Sequence, residues 1–123
     1  MRLAIVGSTR FEEDEKAKDW AAQYIQWVLG KYQPEVVISG GAIGIDQLAT
    51  TLAAFEGIEV IEHLPEHPQW APSGFKARNL LIAQDCTHLL CLRHVDSKTY
   101  GSGWTADRAE ELGKPVYRKT YRQ

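Results

Sequence analysis

Three glycine-bearing segments of the chain carry the residue types that hold a phosphate. Gly7-Ser8-Thr9-Arg10 offers backbone N–H groups, two hydroxyls and an arginine able to pair with an anion. Ser39-Gly40-Gly41-Ala42-Ile43-Gly44-Ile45-Asp46 runs from an apolar stretch into a helical pattern. Its glycines let N–H groups approach a phosphate, and a helix start adds partial positive charge. The same glycines would also serve a tight strand-to-helix turn, and the residues alone leave both uses open. The segment lacks the Gly-Lys-Ser/Thr ending of a Walker loop and the spacing of a G-x-G-x-x-G dinucleotide fingerprint. Tyr100-Gly101-Ser102-Gly103-Trp104-Thr105 repeats the arrangement, with Ser102 and Thr105 suited either to cap a helix or to donate to phosphate oxygens. Arg78-Asn79 follow the turn Pro72-Ser73-Gly74 and fall in the first turns of a helix, from which an arginine reaches across the loop mouths.

Other chemistries have weaker support. His63 and His67, beside Glu62 and Glu66, suggest a metal, but Pro65 breaks the helix that would put both imidazoles on one face. No third ligand stands out, so no metal and no other cofactor is expected. Cys86 and Cys91 lack C-x-x-C spacing and are expected to be reduced and packed. A Ser-His-Asp arrangement cannot be read from sequence, since its members meet only in space.

The elements that must position these loops alternate along the chain. Leu3 to Val6, Val36 to Ile38, Ile58 to Ile61, Thr87 to Leu92 and a stretch around Val116 read as strands, mostly as short apolar runs. Between them lie helical patterns. Trp20, Tyr24, Trp27 and Val28 follow the acidic stretch Glu12 to Glu15, with Gly30 and Pro34 as closure. Ile45, Leu48, Ala49 and Leu52 stop near Gly57; a helix covers about Phe75 to Asp85; Ala106, Ala109 and Leu112 end at Gly113. A proline-punctuated loop from Leu64 to Gly74 carries His67 and Trp70. This alternation predicts one domain over residues 1–123, an α/β, three-layer, Rossmann-like doubly wound sheet of five parallel strands in the order 3-2-1-4-5. In that order the chain reverses between strands one and four, and ligands sit beyond the carboxyl ends of the strands at the reversal. Gly7 to Phe11, Gly40 to Asp46 and Arg93 to Thr105 are the loops that should meet there.

Composition narrows the classes. Hydrophobic residues at 44% and charged residues at 24% are ordinary for a globular domain and exclude a disordered chain. The formal net charge of -2 disfavours a dedicated nucleic-acid binder, although a local basic mouth can sit on an acidic body. No run reaches the roughly 18 apolar residues of a membrane span. The start, Met1 to Gly7, reads as a strand rather than a signal peptide, which makes the cytoplasm the expected location.

Taken together, the loops resemble the DprA/Smf and LOG-like superfamily, called SLOG, of Rossmann-like nucleotide-binding domains. Ser39-Gly40-Gly41-Ala42-Ile43-Gly44-Ile45-Asp46 is similar to the S-G-x-x-x-G-I-D signature of the DprA branch. Phe75-Lys76-Ala77-Arg78-Asn79 resembles F-P-x-R-N, and Gly101 to Ala106 resembles S-G-S-x-x-T-A. Gly7-Ser8-Thr9-Arg10 completes the ordered set, which spans nearly the whole chain; in length the small stand-alone YspA-like branch is nearest. Two departures stand out. Ile43 occupies the position where DprA usually carries arginine. In the P-G-G-x-G-T-x-x-E pattern of LOG-type phosphoribohydrolases the glutamate position falls on Arg108, with Asp107 beside it, while Arg78 matches the arginine of the preceding helix.

The resemblance implies a nucleotide or nucleotide-derived phosphate ligand, held as by a sensor or cleaved by a weak N-glycosidic hydrolase. The implied binding residues are Gly7, Ser8, Thr9, Arg10, Gly40, Gly41, Gly44, Asp46, Arg78, Asn79, Gly101, Ser102, Gly103 and Thr105. If the protein turns over a substrate, Asp107 is the candidate that stabilises positive charge on a ribosyl carbon. The alternative is a DprA-like single-stranded DNA binder in DNA processing. The resemblance further implies a homodimer, and no membrane partner is expected.

Overall fold

The computed structural model describes residues 1–122. Its strands are β1 (Arg2–Gly7), β2 (Val36–Ser39), β3 (Glu59–Glu62), β4 (His88–His94) and β5 (Val116–Tyr121). Its helices are α1 (Glu15–Tyr32), α2 (Ile45–Phe55), α3 (Phe75–Asp85) and α4 (Gly101–Glu111). The strands form one sheet in the order β3-β2-β1-β4-β5, with every neighbouring pair parallel. This is the expected Rossmann-like doubly wound sheet, with β1 at its centre.

Alternation along the central strands divides the core. Leu3, Ile5, Val37, Leu90 and Leu92 face one side, where α1 and α2 contribute Ile25, Leu29, Ile45 and Ala49. Ala4, Val6, Ile38, Leu89 and Cys91 face the other, against Ile82, Ala83, Ala106 and Ala109 of α3 and α4. Successive strand residues point to opposite faces, so a strand covered on both sides must be apolar at every position. Leu3 to Val6 meets that demand without a break. Cys86 and Cys91 are free and buried in the second layer, and burial pushes both thiols up. Among the described residues no helix is long and apolar enough to cross a membrane.

Several boundaries differ from the sequence expectation. The acidic stretch does not open α1 directly. Thr9–Glu13 makes a 3-10 turn that drives Phe11 into the core, and α1 begins at Glu15, where Asp14 accepts from the Ala17 N–H at 3.1 Å as N-cap. Gly30 does not close α1. The helix runs on to Tyr32 and ends on Gln33 in the left-handed region (φ 46°), whose N–H reaches the Leu29 carbonyl, and Pro34 follows. Ser102 and Thr105 do not cap α4. Gly101 already begins that helix, and the Thr105 hydroxyl instead donates back to the Gly101 carbonyl at 3.0 Å.

Candidate functional site

At the carboxyl end of the sheet the connections leave the paired strands β1 and β4 in opposite directions, and a short polar ladder bridges them where they part. The Ser8 N–H bonds the Leu92 carbonyl at 3.1 Å, and the Ser8 hydroxyl accepts from the His94 N–H at 3.2 Å. His94 is fully buried beneath Phe11 and Tyr121. Its Nδ1 lies 3.0 Å from the Asp96 N–H, which can only donate, so Nδ1 accepts and Nε2 donates to Asp14 Oδ2 at 2.8 Å. The hydrogen bond from His94, with that from the Ala17 N–H, holds the Asp14 carboxyl below its usual range. Asp14 thereby ties the β4 loop to the start of α1. Nothing in the sequence pattern singles out Asp14 or His94, which are separated by 80 positions.

The β2–α2 connection forms the adjoining wall. Gly44, at φ 85°, turns the chain into α2 so tightly that a Cβ would sit 3.0 Å from the Ser8 carbonyl oxygen. Asp46 lies in the first turn of α2 and accepts from the Ala42 N–H at 3.2 Å. Burial raises its carboxyl to about 6, against the opposing pull of the Ala42 N–H and the charge of Arg78.

Arg78 lies in the first turn of α3, the third wall, and is only 8% exposed. Nη1 donates to the Gly40 carbonyl, Nε donates to Asn79 Oδ1 at 2.6 Å, and the guanidinium stands over the Phe75 ring at 5.2 Å. The absence of a side chain at Gly40 admits it, since a Cβ there would lie 2.6 Å from Nη1. Among the described residues no carboxylate comes within 4.0 Å of this guanidinium. Burial lowers its pKa and the charge of Asp46 raises it. Asn79 Nδ2 reaches the Gly101 carbonyl at 3.5 Å, joining α3 to the start of α4.

These walls enclose one cleft of about 660 Å³, a size suited to a small organic ligand. Nine of the fourteen binding candidates line it: Gly7, Ser8, Thr9, Asp46, Arg78, Asn79, Gly101, Ser102 and Thr105. The other five lie outside the lining. Arg10 turns away along the 3-10 turn and pairs with Glu13 at 2.8 Å. Gly40 sits behind Arg78, Gly41 lies against Glu62 and Leu64, Gly44 backs onto Thr9, and Gly103 is covered by the Tyr100 ring. Asp107 also lies outside, accepting from Arg118 at 2.8 Å and from the Tyr100 hydroxyl at 3.0 Å. It follows Thr105 by two residues, a rotation of about 200° that turns it away from the Thr105 side chain. His63 bonds Asp85 at 2.9 Å.

The lining also contains Trp70, Phe75, Tyr100 and Trp104, which the sequence reading did not assign to binding. Phe75, Tyr100 and Trp104 stand within the motif segments, so their positions were marked but not their part. Trp70 sits in an aperiodic loop, where only the cost of leaving a tryptophan in a surface loop points to a role.

No family model matches the chain, and no curated protein matches it. Among solved structures it is similar to the DNA processing protein A (DprA) of Streptococcus pneumoniae, with a TM-score of 0.71 and 24% identity over 95% of this chain and 49% of that one. It is also similar to the structural-genomics target TM1055, with a TM-score of 0.70 and 19% identity over 94% of this chain and 72% of that one. The chain thus spans about half the length of the DprA chain. The fold shared with both is the one the SLOG resemblance implies.

Proposed function

We propose that the protein binds a nucleotide or a nucleotide-derived phosphate ligand in the cleft at the carboxyl ends of β1 and β4, acting as a sensor or a weak N-glycosidic hydrolase. The observation that carries this reading is Arg78. Its guanidinium, buried to 8% exposure and lining a cleft, makes no ion pair within 4.0 Å among the described residues. The charge of Asp46 acts on it only from further off, so the guanidinium lacks the direct partner that burial normally requires. A phosphate supplies it, with charge-assisted bonds stronger than neutral ones. The start of α4 at Gly101 and Ser102, which shares the lining, adds N–H groups and the positive end of a helix.

Binding fits this geometry better than turnover does. Asp107 is held by Arg118 and Tyr100 outside the cleft, and Asp46 is the one carboxylate among the lining residues. A base-releasing reaction would therefore have to run through Asp46. A second reading, single-stranded DNA binding, is supported by the likeness to DprA and by cations beside the rings of the mouth: Lys76 on Trp70, Arg93 on Tyr100 and Arg108 on Trp104. The homodimer and the cytoplasmic location belong to the same proposal. Exposed Trp27, Tyr32 and Tyr117 support the former, and the two buried thiols support the latter.

A thermal-shift panel of nucleoside monophosphates, ADP-ribose and a short single-stranded oligonucleotide tests the reading. Stabilisation by nucleotides that persists at high salt supports the small-ligand cleft. Stabilisation by the oligonucleotide alone, lost steeply with salt, supports DNA binding instead. A flat panel contradicts both.

A further inference from the structure

We propose that Trp70 and Trp104 form a seat for a flat aromatic ring at the mouth of the cleft, and that the nucleotide's base occupies it while the phosphate lies at Arg78. The inference rests on the reading of the cleft as a nucleotide site and specifies which part of the ligand is recognised where.

Trp70 belongs to the loop between β3 and α3, and Trp104 to the first turn of α4. They are 34 positions apart in sequence, yet their rings meet edge to face, with centroids 5.3 Å apart and planes at 88°. Two perpendicular indoles make a corner. A planar ring entering it can lie flat on one indole and present its edge to the other, the two favourable geometries for aromatic pairs. Each indole is also steadied by a cation, Lys76 Nζ at 5.5 Å from the Trp70 ring and the Arg108 guanidinium at 4.9 Å from the Trp104 ring. Arg108 Nε is buried with no hydrogen-bond partner, and its neighbour Nη2 is held by Glu111 at 2.8 Å. The guanidinium is thereby held between the indole and Glu111.

The pairing alone does not explain the exposure. Trp70 remains 46% exposed although it lines the cleft and touches a second indole. A tryptophan serving only to pin the loop onto α4 would hide its faces, because each square ångström of apolar surface left in water is unfavourable. Of the polar groups in the lining, Ser8 follows β1 and Asp46 and Arg78 open α2 and α3, whereas the rings come from the β3–α3 loop and the first turn of α4. Phe75, beneath the Arg78 guanidinium at 5.2 Å, adds a further aromatic ring to the same lining. The one cleft thus offers both a group that suits an anion and aromatic side chains that suit a flat apolar ring, which matches the two chemically distinct parts of a nucleoside phosphate. Stacking of this kind tolerates any base, since every base has a π-face.

The test titrates three probes, adenosine, AMP and ribose 5-phosphate, into the wild type and into Trp70→Leu, Trp104→Leu and Trp70→Phe, with circular dichroism to verify folding. The wild type should bind AMP at least about tenfold more tightly than ribose 5-phosphate. Either leucine variant should lose about tenfold or more for AMP while keeping its ribose 5-phosphate affinity, and Trp70→Phe should retain most of the AMP affinity. Equal binding of AMP and ribose 5-phosphate to the wild type overturns the ring seat and leaves the phosphate reading standing. So does an equal loss for both probes in Trp70→Leu. Adenosine bound in a Trp70-dependent way, with no binding of ribose 5-phosphate, keeps the ring seat and removes the phosphate reading. Failure of all three probes overturns both.

Discussion

Replacing Asp46 by asparagine should change how the stability of the fold depends on pH. Asp46 is 7% exposed, and its carboxyl is raised from 3.8 to about 6 by burial. Arg78 is the cation facing it and Glu62 the nearby anion, the first favouring ionisation and the second opposing it. An acid that is harder to ionise in the folded chain keeps its proton over a range where the unfolded chain has lost it. The folded state therefore loses ground as pH climbs from 3.8 towards 6. At 1.36 kcal/mol per pH unit the whole effect is about 3 kcal/mol, and about 2 kcal/mol of it falls between about pH 4.5 and 7.5. Asparagine keeps an acceptor for the Ala42 N–H and cannot ionise. Urea unfolding of both proteins across that window supplies the comparison, in which other titrating groups cancel. The stability difference should move by about 2 kcal/mol in favour of Asp46→Asn as pH rises. A difference that stays constant, or that moves the other way, would refute the argument that Asp46 is buried without adequate compensation.

Two further substitutions probe the scaffold of the cleft. Gly7→Ala would place a Cβ 2.5 Å from the Leu92 carbonyl oxygen and from Ile45 Cγ1. Since the first is backbone, the variant should lose about 1–3 kcal/mol in chemical denaturation, and wild-type stability would show that the end of β1 yields more easily than the packing implies. His94→Phe keeps a ring between Phe11 and Tyr121 but removes the partners of Asp14 Oδ2 and the Asp96 N–H. A loss of about 1–3 kcal/mol is expected, together with faster amide exchange at Asp96. Unchanged exchange there would mean that the ladder does not hold the β4 loop.

The sheet and its order were legible because doubly covered strands have to be continuous apolar runs, as Leu3 to Val6 and Val36 to Ile38 are, and because glycines mark where they end. The loops that meet at the cleft followed from topology, and Arg78 from its place at a helix start. What was not legible depends on contacts between residues distant in sequence. The Asp14–His94 pair spans 80 positions and leaves no periodic trace. Arg10 looked like an anion anchor by adjacency to Gly7 and Ser8, but the 3-10 turn, which also buries Phe11, points it towards Glu13. Counting along a motif brought Asp107 beside a catalytic position, whereas helix geometry turns it towards Arg118. Asp46 was marked for binding, but its raised pKa arises from burial, which only the folded chain reveals.

The central claim is that Arg78, buried without a direct ion pair, supplies the charge that holds a phosphate, and titration calorimetry of AMP into the wild type and Arg78→Met tests it most directly. Methionine keeps an apolar stem over Phe75 and removes only the charge and its donors. The account predicts measurable AMP binding to the wild type, weakened by about 1.5–3 kcal/mol in the variant, the range for a charge-assisted hydrogen bond. A correctly folded Arg78→Met protein that binds AMP as tightly as the wild type would contradict it.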